Sequence, residues 1–336
     1  MDEKVFENYS IVNRKRNICK KTNVFVGRAG YVIELKGGKN GSYHSEYNGL
    51  KKELFKLSLC HAIRYGVDFK NHNVSGLIFH NPWSSGYYHW LIEAMPRLLA
   101  LKDEWGRYPI VIPPKVPNTW FKKWLTDISC GRYVELKSGI TFFKEVIYQD
   151  NPGKMSQHST PDLKVVSDYF SSLALRQIKH AGNFQKIYIS RKNAGHRKIS
   201  NEDEVEIFLK RVGFEFFQLE NMNFLEQVLV FFNAKCVVSI HGAGLSNILF
   251  MRPGAKVIEL IQQPDPKLTW GSRRGTYLLN PCFKSLAESR SLDYKYILCE
   301  YDEDSTPLGV LNKHGALHGN IKVSVNSLKR TLIEVI

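Results

Sequence analysis

The sequence predicts an α/β protein with a doubly wound parallel sheet in its second half, and three observations carry that prediction. First, residues 236–240 (CVVSI) form an apolar run of strand length, short enough to be buried on both faces. The turn His241-Gly242-Ala243-Gly244 stops it. Leu245, Ile248 and Phe250 then recur at helical spacing until Pro253-Gly254, and residues 256–261 form a second apolar run. Strand, glycine turn, helix and strand make one βαβ unit. Second, the same alternation extends upstream to residue 186 and gives four strands and three helices in one sheet. Third, the first half mixes strands and helices less regularly, and Asp150-Asn151-Pro152-Gly153-Lys154 is the strongest linker signal in the chain. The expected division is a first domain over residues 1–155, a second over 156–310, and a C-terminal segment, 311–336, that packs back on the first.

In order, residues 24–34 (VFVGRAGYVIE) place β-branched and aromatic runs around Gly27-Arg28-Ala29-Gly30, a hairpin signature. Residues 37–42 read as a loop. Residues 76–79 make a short buried strand closed by Asn81-Pro82-Trp83-Ser84-Ser85-Gly86, a stretch of turn formers. Residues 87–101 read as a helix with Pro96 inside it, and a proline there removes a hydrogen bond and kinks the helix. Residues 110–112 are a strand, 119–127 a helix and 145–148 a closing strand. In the second half Pro161 opens a connecting helix over 161–180, followed by a strand at 186–190 and a basic loop at 191–197. Residues 201–212 form a helix with Asn201 and Glu204 at capping-box spacing and Gly213 to end it. A strand at 215–219 and a helix at 224–232 lead into the βαβ unit.

At 336 residues the chain is long enough for two domains, each with its own core. Apolar residues at 43% and charged residues at 24% are globular values and exclude extended disorder. The net charge of +15 points to anionic partners: nucleic acid, phosphorylated small molecules or an acidic membrane surface. A solvated basic surface is the competing reading, because no block of five like charges occurs and Arg14-Lys15-Arg16 is the densest run. No nucleic-acid-binding motif is recognisable, so nucleic acid is not an expected partner. Six scattered cysteines without a C-x-x-C pair indicate free thiols in a reducing compartment. With no apolar N-terminal segment and no run of 18 apolar residues, the expectation is a cytoplasmic protein with peripheral contact at the inner, anionic face of the cell membrane.

Four groups of residues carry candidate chemistry. The glycine turn, with His241, Gly242, Ala243, Gly244 and Asn247, lies where a strand meets a helix N-terminus, a place that accepts anionic groups. It lacks both the G-x-G-x-x-G pattern and the P-loop lysine, and a purely structural tight turn is the alternative. The loop Ser190-Arg191-Lys192-Asn193-Ala194-Gly195-His196-Arg197-Lys198 leaves a strand of the same sheet, so the two loops converge on one crevice. Two guanidiniums suit a diphosphate, against the alternative of an exposed basic loop. Glu259, near its strand end, is placed to accept hydrogen bonds from a ribose or to be a satisfied strand acid. Finally His89, Glu93 and Arg97 fall at i, i+4 and i+8 on one helix face, as a base with its orienting carboxylate or as a surface stripe. Asp302 and Asp304 read as a polar turn, and no metal site is expected.

Taken together, YYHWLIEAMPRL, IYISRKNAGHRKISNEDEV and HGAGLSNILFMRPGAKVIEL, in this order over residues 76–261, resemble glycosyltransferase family 61. That family includes eukaryotic O-linked N-acetylglucosamine and xylose transferases and bacterial capsule and lipopolysaccharide enzymes. The resemblance implies a GT-B architecture, two Rossmann-like domains facing across a cleft, and metal-independent, inverting transfer from a nucleotide sugar, UDP-linked, to a glycan or lipid-linked oligosaccharide. It implies that Arg191 and Arg197 hold the donor diphosphate, with Ser190, the His241–Gly244 turn and Asn247 lining the donor site. On this reading His89, Glu93 and His241 are the catalytic candidates, Tyr88 and Arg97 belong to the acceptor side, and no cofactor is needed. Eukaryotic members carry anchors or secretory signals and disulfides, which this reading lacks, so the chain is similar to a bacterial cytoplasmic member. The rival is an inactive GT-B-like protein that binds a glycan or polyanion.

Overall fold

The two halves of the chain form separate units, Ile11–Val166 and Ser167–Ile336. The computed structural model describes residues 11–12, 17–34, 60–69, 74–149, 158–178, 182, 184–263, 279–306 and 319–335. The expected linker at 150–154 and loop at 37–42 lie outside them, and the boundary between units falls inside a helix, Thr160–Gln177.

The N-terminal unit contributes β1 (Ile11–Val12), β2 (Ile18–Gly27), β3 (Val32–Glu34), β4 (Val67–Asp68), β5 (Ser75–Ile78), β6 (Ile110–Ile112), β7 (Tyr133–Glu135), β8 (Ile140–Gln149) and β9 (His158–Ser159). Its main sheet runs β3-β2-β8-β5-β6-β7, with β4 also on β8, while β1 and β9 form a parallel pair. β5, β6, β7 and β8 are parallel and β2 is antiparallel to β8. Val24, Val26, Ile78, Val111, Phe143 and Val146 fill the core on one face. The β2–β3 hairpin forms as its sequence indicates, Val26 facing Val32. Gly30 adopts φ +85° where a side chain would also collide with the His80 carbonyl, so only glycine fits.

The helical stretch at 87–100 meets its proline with a widened turn. An α-helical turn, α1 (Tyr87–His89), passes into a π segment (Trp90–Ala94) and back into α2 (Met95–Ala100). Met95 N–H donates to the Trp90 carbonyl, five residues back, so the widened turn accommodates Pro96, which has no N–H and whose ring would strike the carbonyl four residues earlier. The extra residue in that turn changes the phase. Arg97 is therefore wholly buried, at 0% exposure, instead of sharing an open face with His89 and Glu93. Next comes α3 (Thr119–Ile128), capped by the Asn118 side chain, which accepts from Phe121 N–H at 3.0 Å.

After the connecting helix α4 (Thr160–Gln177), the C-terminal unit runs β10 (Lys186–Ile189), α5 (Glu202–Arg211), β11 (Glu215–Phe217), α6 (Phe224–Asn233), β12 (Cys236–Ile240), a 3₁₀ helix (Ala243–Phe250), β13 (Lys256–Gln262), α7 (Cys282–Ser289), β14 (Asp293–Asp302), β15 (Asn320–Lys322) and α8 (Val325–Val335). The sheet order is β11-β10-β12-β13-β14-β15, parallel except for β15. β12 is buried along its whole length, as its CVVSI sequence requires. Three local expectations change. The helix after the glycine turn is 3₁₀. Asn201 does not close a capping box, because its side chain holds the Val323 backbone through both N–H and carbonyl, and the box forms at Asn223 and Glu226 instead. The C-terminal segment, expected on the first domain, adds β15 to this sheet and sends Leu328 and Leu332 of α8 into its core.

Candidate functional site

β10 and β12 are adjacent and parallel, with Ile189 opposite Ser239, so the loops leaving their C-terminal ends emerge side by side. Arg191 folds back over its own loop, donating to the carbonyls of His196 (3.1 Å) and Arg197 (3.4 Å). Its guanidinium also closes on the glycine turn: a Cβ on Gly242 would stand 3.0 Å from Arg191 Nη1. Gly242 has extended backbone, φ 172°, so the position needs space and not a special conformation. Gly244 serves packing, since a Cβ there would meet Leu219 Cδ1 at 3.0 Å.

Arg197, in the left-handed region at φ +56°, brings a second guanidinium to the corner. Burial and the charge of Arg191 hold its pKa below the usual guanidinium value, opposed by Cys282 and Glu259. Burial lowers Arg191 likewise, opposed by Glu220 and Glu202. Two half-buried guanidiniums in mutual repulsion are stabilised by an anion placed between them. Lys192 is already committed, to Asp203 at 2.8 Å and Glu206 at 3.1 Å. The loop's far end is fixed by the last strand: Lys198 N–H donates to Asn320 Oδ1 at 3.0 Å and Ile321 N–H to the Lys198 carbonyl at 2.9 Å.

Three residues expected to line this corner instead brace it from below. Ser190 is buried and donates to Glu202, which also accepts from Tyr188, both at 2.8 Å. Asn247 is 0% exposed and donates to Gln227, which in turn donates to the Leu219 and Met222 carbonyls. Glu259 is fully buried, its Oε1 2.5 Å from His241 Nδ1 and its Oε2 accepting from Tyr294 at 2.6 Å. Its oxygens therefore face His241 and Tyr294, not a ribose. His241 itself retains 23% side-chain exposure, with the Phe283 ring edge-on at 5.1 Å.

In the N-terminal unit, His89 Nδ1 stands 3.0 Å from Glu93 Oε1, and Asn81, buried at the start of the turn after β5, donates to Glu93 Oε2 at 2.7 Å. Tyr88 pairs with buried His158, hydroxyl to Nε2 2.8 Å, and the Trp83 ring lies 6.0 Å from that of His89. Sequence reasoning missed Asn81 as the orienter of Glu93, although the turn formers around it were a signal. It also missed Tyr294 and Gln227, which no motif marks. Asp302 accepts from Ser305 N–H in a turn. Among the described residues no group of three His, Cys, Asp or Glu is arranged to hold a metal ion, and no helix is long and apolar enough to cross a membrane.

The profile of the family Glycosyltransferase 61 matches residues 87–258, just over half of the chain. The chain is also similar to an EGF domain-specific O-linked N-acetylglucosamine transferase of Mus musculus, 29% identical over 114 residues, which is 32% of this chain and 19% of that protein. The Drosophila melanogaster protein of the same name is 29% identical over 125 residues, 35% of this chain and 21% of its own length. The match thus spans about a fifth of the length of these curated relatives. The family match runs from α1 into β13 and takes in the His89–Glu93 pair, the Arg191–Arg197 loop and the glycine turn. The chain belongs to glycosyltransferase family 61.

Proposed function

We propose that the protein is a metal-independent, inverting glycosyltransferase of the GT-B type that moves a sugar from a UDP-linked donor to a hydroxyl of a glycan or lipid-linked acceptor. The C-terminal unit takes the donor and the N-terminal unit the acceptor. The observation that carries this reading is the corner where the Arg191 guanidinium closes on Gly242 with Arg197 beside it. The acceptor oxygen attacks the anomeric carbon as the bond to the diphosphate breaks, and the two arginines neutralise the charge that develops on the leaving group. His89, oriented by Glu93 and Asn81, takes the acceptor's proton. The relatives' names make N-acetylglucosamine the first sugar to test. Transfer in surface polysaccharide synthesis at the inner face of a membrane suits the net charge of +15.

Calorimetry with UDP tests the donor corner. Arg191→Ala or Arg197→Ala weakens UDP binding by roughly 1.5–3 kcal/mol, the scale of a charge-assisted hydrogen bond. Wild-type affinity in both variants removes these residues from the site.

A further inference from the structure

His241 follows β12 directly and precedes Gly242, the residue over which Arg191 closes. The ring is held on several sides. Its backbone N–H donates to the Leu260 carbonyl at 2.9 Å, Nδ1 faces Glu259, and Phe283 covers it edge-on. Glu259 has 1% side-chain exposure and His241 has 23%, so the Nδ1 end of the imidazole is the buried end and Nε2 the open one. We propose, resting on the donor reading above, that His241 is a catalytic residue on the leaving group: as an imidazolium it donates its Nε2–H to the departing diphosphate, with Glu259 as the positioning residue and Tyr294 as the brace of Glu259.

The charges facing His241 decide for an acid here and against a second base. Glu259 meets His241 from β13 and accepts from Tyr294 of β14 on its other oxygen, Cys282 of α7 and Arg197 lie within electrostatic reach of Glu259, and Arg191 closes on the next residue, Gly242. Burial, reinforced by the charge of Glu259, pushes the Tyr294 phenol well above its ordinary value, so it remains a donor. Burial does the same to the Cys282 thiol, which stays neutral. Glu259 is the carboxylate of this group and the two arginines are its guanidiniums. A diphosphate docked on the arginines offsets their charge, and the Glu259 carboxylate at Nδ1 holds the imidazole with Nε2 free to meet it. In the transfer step the acceptor oxygen bonds to the anomeric carbon, and the electron pair of the broken bond goes to the diphosphate oxygen. That oxygen receives the Nε2 proton, the acceptor's proton goes to the base, and solvent later reprotonates His241.

The test uses the full chain labelled with ¹⁵N-histidine, UDP as ligand and UDP-N-acetylglucosamine as donor. In the UDP complex at neutral pH both ring nitrogens of His241 carry protons, and Glu259→Gln loses the Nε2 proton. His241→Asn lowers kcat by roughly 10²- to 10⁴-fold with the KM for UDP-N-acetylglucosamine within about threefold. Glu259→Gln lowers kcat by about tenfold or more and moves the alkaline limb of the pH–rate profile to lower pH, leaving the acid limb in place. Tyr294→Phe acts in the same direction and more weakly, and it carries the test if Glu259→Gln does not fold. A bare Nε2 in the wild-type UDP complex, or an alkaline limb unmoved in a variant that melts like wild type, overturns the inference. If those results come while Arg191→Ala still weakens UDP binding, the donor corner stands and the role of His241 alone falls; unchanged UDP binding in both arginine variants removes both.

Discussion

His89 and Glu93 sit four residues apart on one helical stretch, with side-chain exposures of 27% and 15%. His241, the residue after β12, and Glu259, on the neighbouring parallel β13, are 18 residues apart, and the carboxylate keeps 1% exposure. The first pair is made by local geometry and is oriented by a turn residue, Asn81. The second is made by sheet register and is oriented by Tyr294 on the next strand. The difference teaches what each pair is suited to. On the proposed function, a pair with a partly exposed carboxylate adapts to an incoming acceptor, whereas a buried, braced pair holds one proton arrangement against a highly charged ligand.

The largest expected effect sharpens that contrast. His89→Ala and Glu93→Gln each lower kcat by roughly 10²- to 10⁴-fold with donor affinity nearly unchanged, the signature of a base. Steady-state kinetics together with UDP calorimetry checks it, and near-normal kcat with a lowered melting temperature makes the pair scaffolding.

A second experiment separates the open histidine from a buried neighbour. His80 lies at 1% exposure, and burial pushes it down to about 3, partly offset by the Arg28 backbone. A histidine with a lowered folded-state value contributes stability that is full above its unfolded value of 6.5 and is lost as pH falls towards about 3. Melting followed from neutral pH to pH 4 declines by several kcal/mol across this window. His80→Phe flattens the decline if this titration is its source.

Smaller still is the helix cap. Asn223→Ala removes a complete capping box and costs about 1 kcal/mol in urea unfolding. If Asn201→Ala costs as much or more, the reason is its double bond to Val323, since it caps nothing. The smallest expected effect is none: transfer activity measured in EDTA equals the untreated rate, and loss restored by Mg²⁺ or Mn²⁺ would return Asp302 and Asp304 to consideration.

Local patterns were legible in the sequence. The β2–β3 hairpin, the apolar run of β12, Gly213 at φ +84° after α5 and the His89–Glu93 spacing all depend on residues within one turn or one strand. Register and phase were not. Pairing of Ser239 with Glu259 and of Glu259 with Tyr296 places Tyr294 and His241 around one carboxylate, and nothing in the spacing of those residues announces it. The π turn hid in the same way: Pro96 signalled a disturbed helix, but not the widened turn that receives it or the inward place of Arg97 after it. β14 carries no clear signal, because YKYILCEYD has neither a clean two-residue apolar period nor a full apolar run.

The attachment of Lys198 to Asn320 and Ile321 has a consequence for the order of events during synthesis. A nascent chain that has emerged as far as residue 306 already contains β10 to β14, so the parallel sheet and the glycine turn have everything they need to form. Arg191 is set by its own loop, but the stretch just after Arg197 waits for β15, more than a hundred residues later in the chain. The far end of the Arg191–Arg197 loop is thus fixed only after the rest of the parallel sheet can form, and a ribosome-bound intermediate carries the sheet before it carries the finished loop.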